Sequence, residues 1–284
     1  YTVVYFIRAK AKHKLGDRQG AIADYTKAIE IDPNYFQAYN NRADVNNELG
    51  DYSGAIADSS KAIDINPRYA GSYFIRATAK SKLGDYAGAI VDFNKAIDIY
   101  PSHDLPYVTR GVAKEKLGDI KGAIVDFNKA IDINPSNDFP YVSRGVVKEK
   151  SGDIKGAFAD YNKAIDINPS NEVAYANRGN TKNKLGDIKG AIADLTKVIQ
   201  LNPKSLYAYY TRGLSKLILK ENADAIADFK KAIEINPKDG RGYYGYALAK
   251  GQSGDRKGAC EVLKKAEELG NNLASKMFKK RCAD

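Results

Sequence analysis

The stretch Leu49–Pro67, LGDYSGAIADSSKAIDINP, returns through the chain at one fixed interval. Its proline marks the beat. Pro33, Pro67, Pro101, Pro135, Pro169, Pro203 and Pro237 stand 34 residues apart, and only Pro106 and Pro140 fall outside the series. A strict period of this length decides the architecture before any single motif does: one small unit is copied, and each copy buries its apolar face on its neighbours.

Composition agrees. A chain of 284 residues is long for one compact core, yet no linker interrupts the period. With 28% charged and 43% hydrophobic residues the chain reads as a folded, water-exposed protein rather than a disordered one. Its apolar runs are far shorter than a membrane span. The net charge of +10 favours acidic partners, namely acidic peptide segments, nucleic acid or anionic lipid, unless it is only surface lysine copied with the unit. Cys260 and Cys282 are too few for a disulfide framework, which favours a reducing compartment and hence the cytoplasm. No signal peptide is visible. The first residues, YTVVYFIRAK, already read as helix, so the expectation is a fragment whose targeting information lies upstream.

Counting with the proline third from the end gives eight units: 2–35, 36–69, 70–103, 104–137, 138–171, 172–205, 206–239 and 240–273, with a tail to Asp284. Each reads as two helices. The first, such as YANRGNTKNKLG (175–186), carries an apolar stripe at helical spacing. Glycine stops it at Gly16, Gly50, Gly84, Gly118, Gly152, Gly186 and Gly254, where a left-handed cap is expected. The aspartate that follows, for example Asp119, is placed to serve the free N–H groups of the second helix. That helix, GAIADYTKAIEI or a copy, ends at the proline. Alanines at one position (Ala21, Ala123, Ala225 and equivalents) and another (Ala28, Ala130, Ala232) mark close helix approach, with large residues such as Phe93, Phe127 and Tyr161 between them. Tyrosine opens each first helix, from Tyr5 to Tyr243, and reads as a core wedge rather than a stacking platform.

Unit length, helix–turn–helix form, small residues and terminal proline together resemble the tetratricopeptide repeat. A large residue at position four of the unit, glycine or alanine at eight, alanine at twenty and twenty-seven, and proline at thirty-two all match, over residues 2–273. The resemblance implies an all-α, right-handed superhelical α-solenoid, here closed by a C-terminal capping helix. It also implies that the first helices line a concave face that binds peptides or extended protein segments.

The chain departs from that pattern at two positions. Position seven is arginine (Arg8, Arg42, Arg76, Arg110, Arg144, Arg178, Arg212) and position twenty-three is aspartate (Asp24, Asp58, Asp92, Asp126, Asp160, Asp194, Asp228). In the eighth unit both change together, to Tyr246 and Val262, so an Arg–Asp pair joining the two helices is expected. An arginine ladder for phosphates is the functional alternative. The seventh unit lacks the turn glycine, so Lys220 must take an uncomfortable cap or the turn another shape. Pro106 and Pro140 sit in the first turn of their helices, where a missing N–H costs little.

The positions that the resemblance assigns to the groove are those where the copies vary most. They give an apolar stripe of Leu105, Val108 and Val112, repeated as Phe139, Val142 and Val146, with Phe74 before it and Tyr207, Tyr210, Leu214, Leu217 and Tyr244 after it. Asn177, Asn180 and Asn183, with Asn40, Asn41 and Asn47, could hold an extended backbone through donor and acceptor together. Lys14, Lys82, Lys116, Lys150 and Lys184 make a basic rim that Glu115 and Glu149 partly offset. The clamp by which some relatives hold a chaperone's C-terminal carboxylate is not assembled, because no unit has lysine at position five.

Nothing points to catalysis, a cofactor or a metal. His13 and His103 lie far apart in sequence without a cysteine nearby, and Cys260 reads as packing. The tail NNLASKMFKKRCAD should form a last helix whose Leu273, Met277 and Phe278 cover the end of the array. The expected function is a scaffold that takes an extended protein segment with apolar and acidic residues, with self-association possible. RNA bound by the basic rim is the rival, as is a non-catalytic domain of a larger enzyme or of a secretion or assembly factor.

Overall fold

The turns between paired helices are two or three residues, Leu-Gly-Asp or a variant, and their chemistry explains why the chain reverses there. In the computed structural model, which describes residues 1–282, helix α7 (Asp104–Lys116) ends before Gly118, whose φ of +83° is left-handed backbone that only glycine adopts cheaply. Asp119 then caps helix α8 (Ile120–Ile133): the Gly122 N–H donates to its Oδ1 at 2.9 Å. Gly122 is glycine for a second reason. A Cβ there would meet the capping carboxylate at 2.1 Å. Helix α8 ends where Asn134, before Pro135, turns to extended backbone at φ −137°.

The same grammar runs along the chain. The helices before this pair are α1 (Thr2–Lys14), α2 (Arg18–Ile31), α3 (Phe36–Leu49), α4 (Tyr52–Ile65), α5 (Ala70–Lys82) and α6 (Tyr86–Ile99). After it come α9 (Phe139–Lys150), α10 (Ile154–Ile167), α11 (Glu172–Lys184), α12 (Ile188–Leu201), α13 (Leu206–Ile218) and α14 (Asn222–Ile235). The last are α15 (Gly240–Gln252), α16 (Arg256–Glu268) and α17 (Asn272–Arg281). No strand occurs among the described residues. The fold is an all-α solenoid of helix–turn–helix pairs.

The chain divides into two compact bodies, Tyr1–Ser151 and the residues from Gly152 onward. In the first, consecutive helices pack in sequence order. Successive odd helices also touch, α1 on α3, α3 on α5, α5 on α7 and α7 on α9, while successive even helices come less close. The odd helices therefore form the inner layer of this body. Its core is small against large. Ala123 and Ala130 are fully buried around Phe127, whose ring lies where a Cβ on Gly111 would meet it at 2.8 Å. Burying that ring contributes about 1.5–3 kcal/mol.

In the second body Phe229 and Leu195 take the place of Phe127, among Ala225, Ala249, Val198 and Ala208. Helix α17 closes this body. Ala274 is buried and Met277 and Phe278 pack on Leu263 and Ala266, as expected of a cap. Leu273 does not take part. It is 57% exposed, because the Asn271 cap starts the helix with Ala274, not Leu273, turned inward. The last two residues of the expected tail lie outside the described ones.

Two sequence expectations meet the geometry at particular residues. Lys220 does adopt the uncomfortable cap, with φ +61°, the single non-glycine residue with positive φ among those described. Cys260 and Cys282 are corrected: they form a disulfide with Cα atoms 5.6 Å apart, so Cys260 is a crosslink rather than mere packing. The bond also removes the cysteine argument for a reducing compartment. The two residues stand on either side of the Leu269–Gly270 turn, and the packing of α16 on α17 brings them together.

Candidate functional site

The first helices carry a polar network that recurs in most of the pairs. In the fourth repeat, Arg110 donates from Nε and Nη2 to both oxygens of Asp126, at 2.9 and 2.5 Å. Its Nη1 reaches back to the preceding repeat and donates to Asn94 Oδ1 at 2.7 Å. Lys114, one turn further on, meets the same carboxylate at 2.9 Å. The guanidinium lies over the Tyr107 ring, 5.5 Å from its centroid. Arg42, Arg76, Arg178 and Arg212 repeat the forked pairing with Asp58, Asp92, Asp194 and Asp228. Their backward bonds go to Thr26, Ser60, Asn162 and Thr196. The expected Arg–Asp pair is thus one part of a larger knot. The lysine one turn after the arginine and the residue at position twenty-five were overlooked, although both recur visibly in the sequence.

This arrangement disposes of the phosphate ladder. These four arginines and Arg110 have only 15–20% of their side chains exposed, and their donors are already committed. It also reinterprets the charge. Asp24, Asp92, Asp126, Asp194 and Asp228 each face an arginine and a lysine, so five of the ten surplus positive charges are held inside structural knots. The carboxylate of Asp24 is held down to about 2 by its hydrogen bonds from Arg8, against the opposing effect of burial. Arg42, Arg76 and Arg178 are raised in turn by hydrogen bonding to their aspartates.

The eighth repeat inverts the scheme. Tyr246 stands where the arginine would be, and Lys230 of the preceding repeat, where others have Thr, Ser or Asn, lies over its ring at 5.6 Å. Lys250 of the same repeat lies over the ring as well, at 5.5 Å, so Tyr246 is held between two cations in place of an Arg–Asp pair.

The apolar stripe is corrected at its centre. Val108 is fully buried in the Phe127 core, and Val142 is 6% exposed. Position five faces inward generally. Phe6, Phe74 and Tyr210 stack on the ring at position twenty-four of their own repeats, at 5.8–5.9 Å between centroids. Burial raises the Tyr210 hydroxyl above its ordinary pKa. What remains exposed are Leu105, Phe139 and Tyr207, at 39%, 51% and 38%, with Val112, Val146 and Tyr244 half-buried beside them.

The asparagines divide as well. Asn40 is buried and accepts from Ser72 at 2.9 Å, Asn47 donates to the Ile75 carbonyl, and Asn183 is tied to Ser215. Asn41 is half-buried and accepts from Asn40 at 3.3 Å. Asn177 and Asn180 are half-buried, and neither side chain has a hydrogen-bond partner among the described residues. On the rim, Lys116 and Lys150 both approach Glu115, and Lys184 is exposed with a partner of its own. Lys14 and Lys82 are exposed and without an ion pair among the described residues.

Family models described as TPR repeat match residues 9–50 and 149–186. Models described as tetratricopeptide repeat match 36–69, 70–103, 106–137, 173–205 and 206–239. The chain belongs to the tetratricopeptide repeat family. This repeat array is therefore a protein-interaction scaffold in fold. Among solved structures it is similar to the Cut9 and Hcn1 complex of the APC/C (TM-score 0.67, 18% identity, 93% of this chain), of which it spans about half, 52% of that chain. It is also similar to a tetratricopeptide repeat protein from Parabacteroides merdae (TM-score 0.66, 20% identity, 87% of this chain and 98% of that one). A third likeness is to MamA (TM-score 0.55, 28% identity, 61% and 94%). The comparison with curated proteins returned no match. No helix among the described residues is long and apolar enough to cross a membrane, and none of their His, Cys, Asp and Glu side chains cluster as a metal site would need.

Proposed function

We propose that this tetratricopeptide array binds an extended peptide or protein segment along the face of its first helices. We also read it as eight repeats over residues 2–273. The observation that carries the binding reading is the contrast between positions on that face. Most of its polar and apolar groups are consumed by the core, but Leu105, Phe139 and Tyr207 remain exposed, and Asn177 and Asn180 keep unused side-chain amides. Exposed apolar side chains select a partner's side chains, and free amides accept and donate to an extended backbone. The segment suited to Lys14 and Lys82 carries acidic residues. RNA is the weaker reading, because so many cations are already paired within the array.

A peptide array probed with the intact chain tests this. Extended peptides carrying apolar and acidic residues should be captured, and Leu105→Asp/Phe139→Asp should weaken capture at least tenfold while circular dichroism is unchanged. Equal capture by the double variant, or preferential binding of single-stranded RNA with a steep salt dependence, would reject the proposal.

A further inference from the structure

A cavity of about 950 Å3 in the second body lies where α13 and α15 meet α16 and α17. Its size falls within the range of ligand pockets, roughly 300–1,000 Å3. The floor is aliphatic, made by Leu214, Leu217, Leu248, Leu263 and Met277, with Ile218 exposed beside it. Two features distinguish this end from the rest of the array. At position twelve, where other repeats have His, Asn, Ser, Glu or Leu, α15 has Gly251. A Cβ there would meet nothing nearer than the Ala259 Cβ at 3.7 Å, so the missing side chain leaves space toward the cavity. At the mouth stand Arg256 from α16 and Arg281 from α17, both exposed and both without a carboxylate partner among the described residues. Elsewhere most arginines are paired, Arg68 being another exposed one without a carboxylate partner among the described residues. The wall between them is pinned by the Cys260–Cys282 disulfide, and both of its residues line the space.

From these observations we infer that this cavity is the anchoring pocket for a peptide segment that carries large aliphatic side chains next to a carboxylate. The inference deepens the peptide-binding reading and rests on it. The aliphatic floor takes the side chains and excludes water from them. Arg256 and Arg281 meet the carboxylate, and two arginine forks recognise a planar carboxylate better than a single point charge would. The occupant is an extended segment rather than a compact ligand, because the first helices α13 and α15 line the cavity and the remainder of the peptide runs along them. The disulfide keeps Arg281 at the mouth, so the pocket is complete only in the oxidised chain.

The probe is a fluorescein-labelled peptide, Leu-Leu-Glu-Leu-Leu-Glu-Leu, titrated with the intact oxidised protein by fluorescence anisotropy. Its companions are the same peptide with Gln for Glu, and unlabelled decanoate as competitor. Binding to the wild type should weaken at least tenfold with the Gln peptide, with Arg256→Ala/Arg281→Ala, and on reduction of the disulfide. The Gln peptide should lose nothing more on the double variant. Gly251→Leu puts a better helix former at that site and fills the cavity, so it should fold as the wild type does and bind at least tenfold more weakly. Affinity that Gly251→Leu and the double arginine variant leave unchanged overturns the pocket. So does absence of binding to the wild type, or decanoate displacing the peptide with equal or better affinity. The groove reading is judged separately: peptides captured on the array and lost in Leu105→Asp/Phe139→Asp leave it standing even when this pocket fails.

Discussion

At the scale of residues, the array shows how a charged pair becomes a joint. Asp126 is 1% exposed and would be costly to bury alone, but Arg110 and Lys114 satisfy both its oxygens. Removing one partner of such a pair costs about 3–5 kcal/mol, because the other charge is left stranded. Asp24 offers the cleaner test, since its carboxyl titrates at about 2. A depressed carboxylate contributes stability that is fully present above the unfolded value of about 3.9 and is lost as pH falls through the folded one. The urea midpoint should therefore fall between pH 4 and pH 2, and the slope should be shallower in Asp24→Asn. Equal slopes in the two proteins would mean that Asp24 is not held by Arg8. The residue scale is also where sequence reading missed. Val108 and Val142 lie at helical spacing with truly exposed neighbours, so the stripe looked continuous. A first helix here touches its own second helix, the previous one and neighbouring first helices, so its exposed arc is narrower than the apolar stripe.

At the scale of elements, nearly all of the fold was legible, because caps, turns and terminators are local and each was copied several times. The seventh repeat is the informative exception. It has Lys220 where glycine belongs, Glu221 where the capping aspartate belongs, and Asp224 where the third-position glycine belongs. Glu221 makes no side-chain cap, and without the short carboxylate folded over the helix end, nothing requires glycine three residues later. The strain at Lys220 remains. Left-handed backbone costs a side chain about 1–2 kcal/mol, part of which glycine returns as unfolded-state entropy. Lys220→Gly should therefore raise stability by about 1 kcal/mol in chemical denaturation. A neutral or negative change would show that the Lys220 side chain contributes something the turn geometry does not reveal. The disulfide was missed because two cysteines are no framework by count, and only the pairing of α16 with α17 makes them adjacent.

At the scale of the whole molecule, stability is local: within each body helices pack on their neighbours in sequence, and perturbations should stay where they are made. The Cys260–Cys282 bond closes a loop of 22 residues, a constraint worth about 3 kcal/mol in chain entropy. In Cys282→Ser, amide exchange should accelerate in α16 and α17 and remain unchanged in α11 and α12; acceleration across α11 and α12 would contradict local stability. The partner was the least legible feature, and for a physical reason. A period encodes what the copies share, which is the core and the joints, whereas recognition depends on the few side chains the joints leave over.

The inverted joint before the last repeat has a consequence for how such a chain can change length. Everywhere from Thr26 to Thr196, a hydroxyl or amide at the end of one repeat receives the arginine of the next, so these seams are interchangeable. Excising the sixth repeat would set Asn162 against Arg212, a seam of the ordinary kind. Excising the seventh would set Thr196 against Tyr246, which has no guanidinium to donate, and leave the ring with the cation of Lys250 but without that of Lys230. The interior of the array is free to lose or duplicate blocks of 34 residues, while its final two repeats are keyed to each other and must be inherited as one piece.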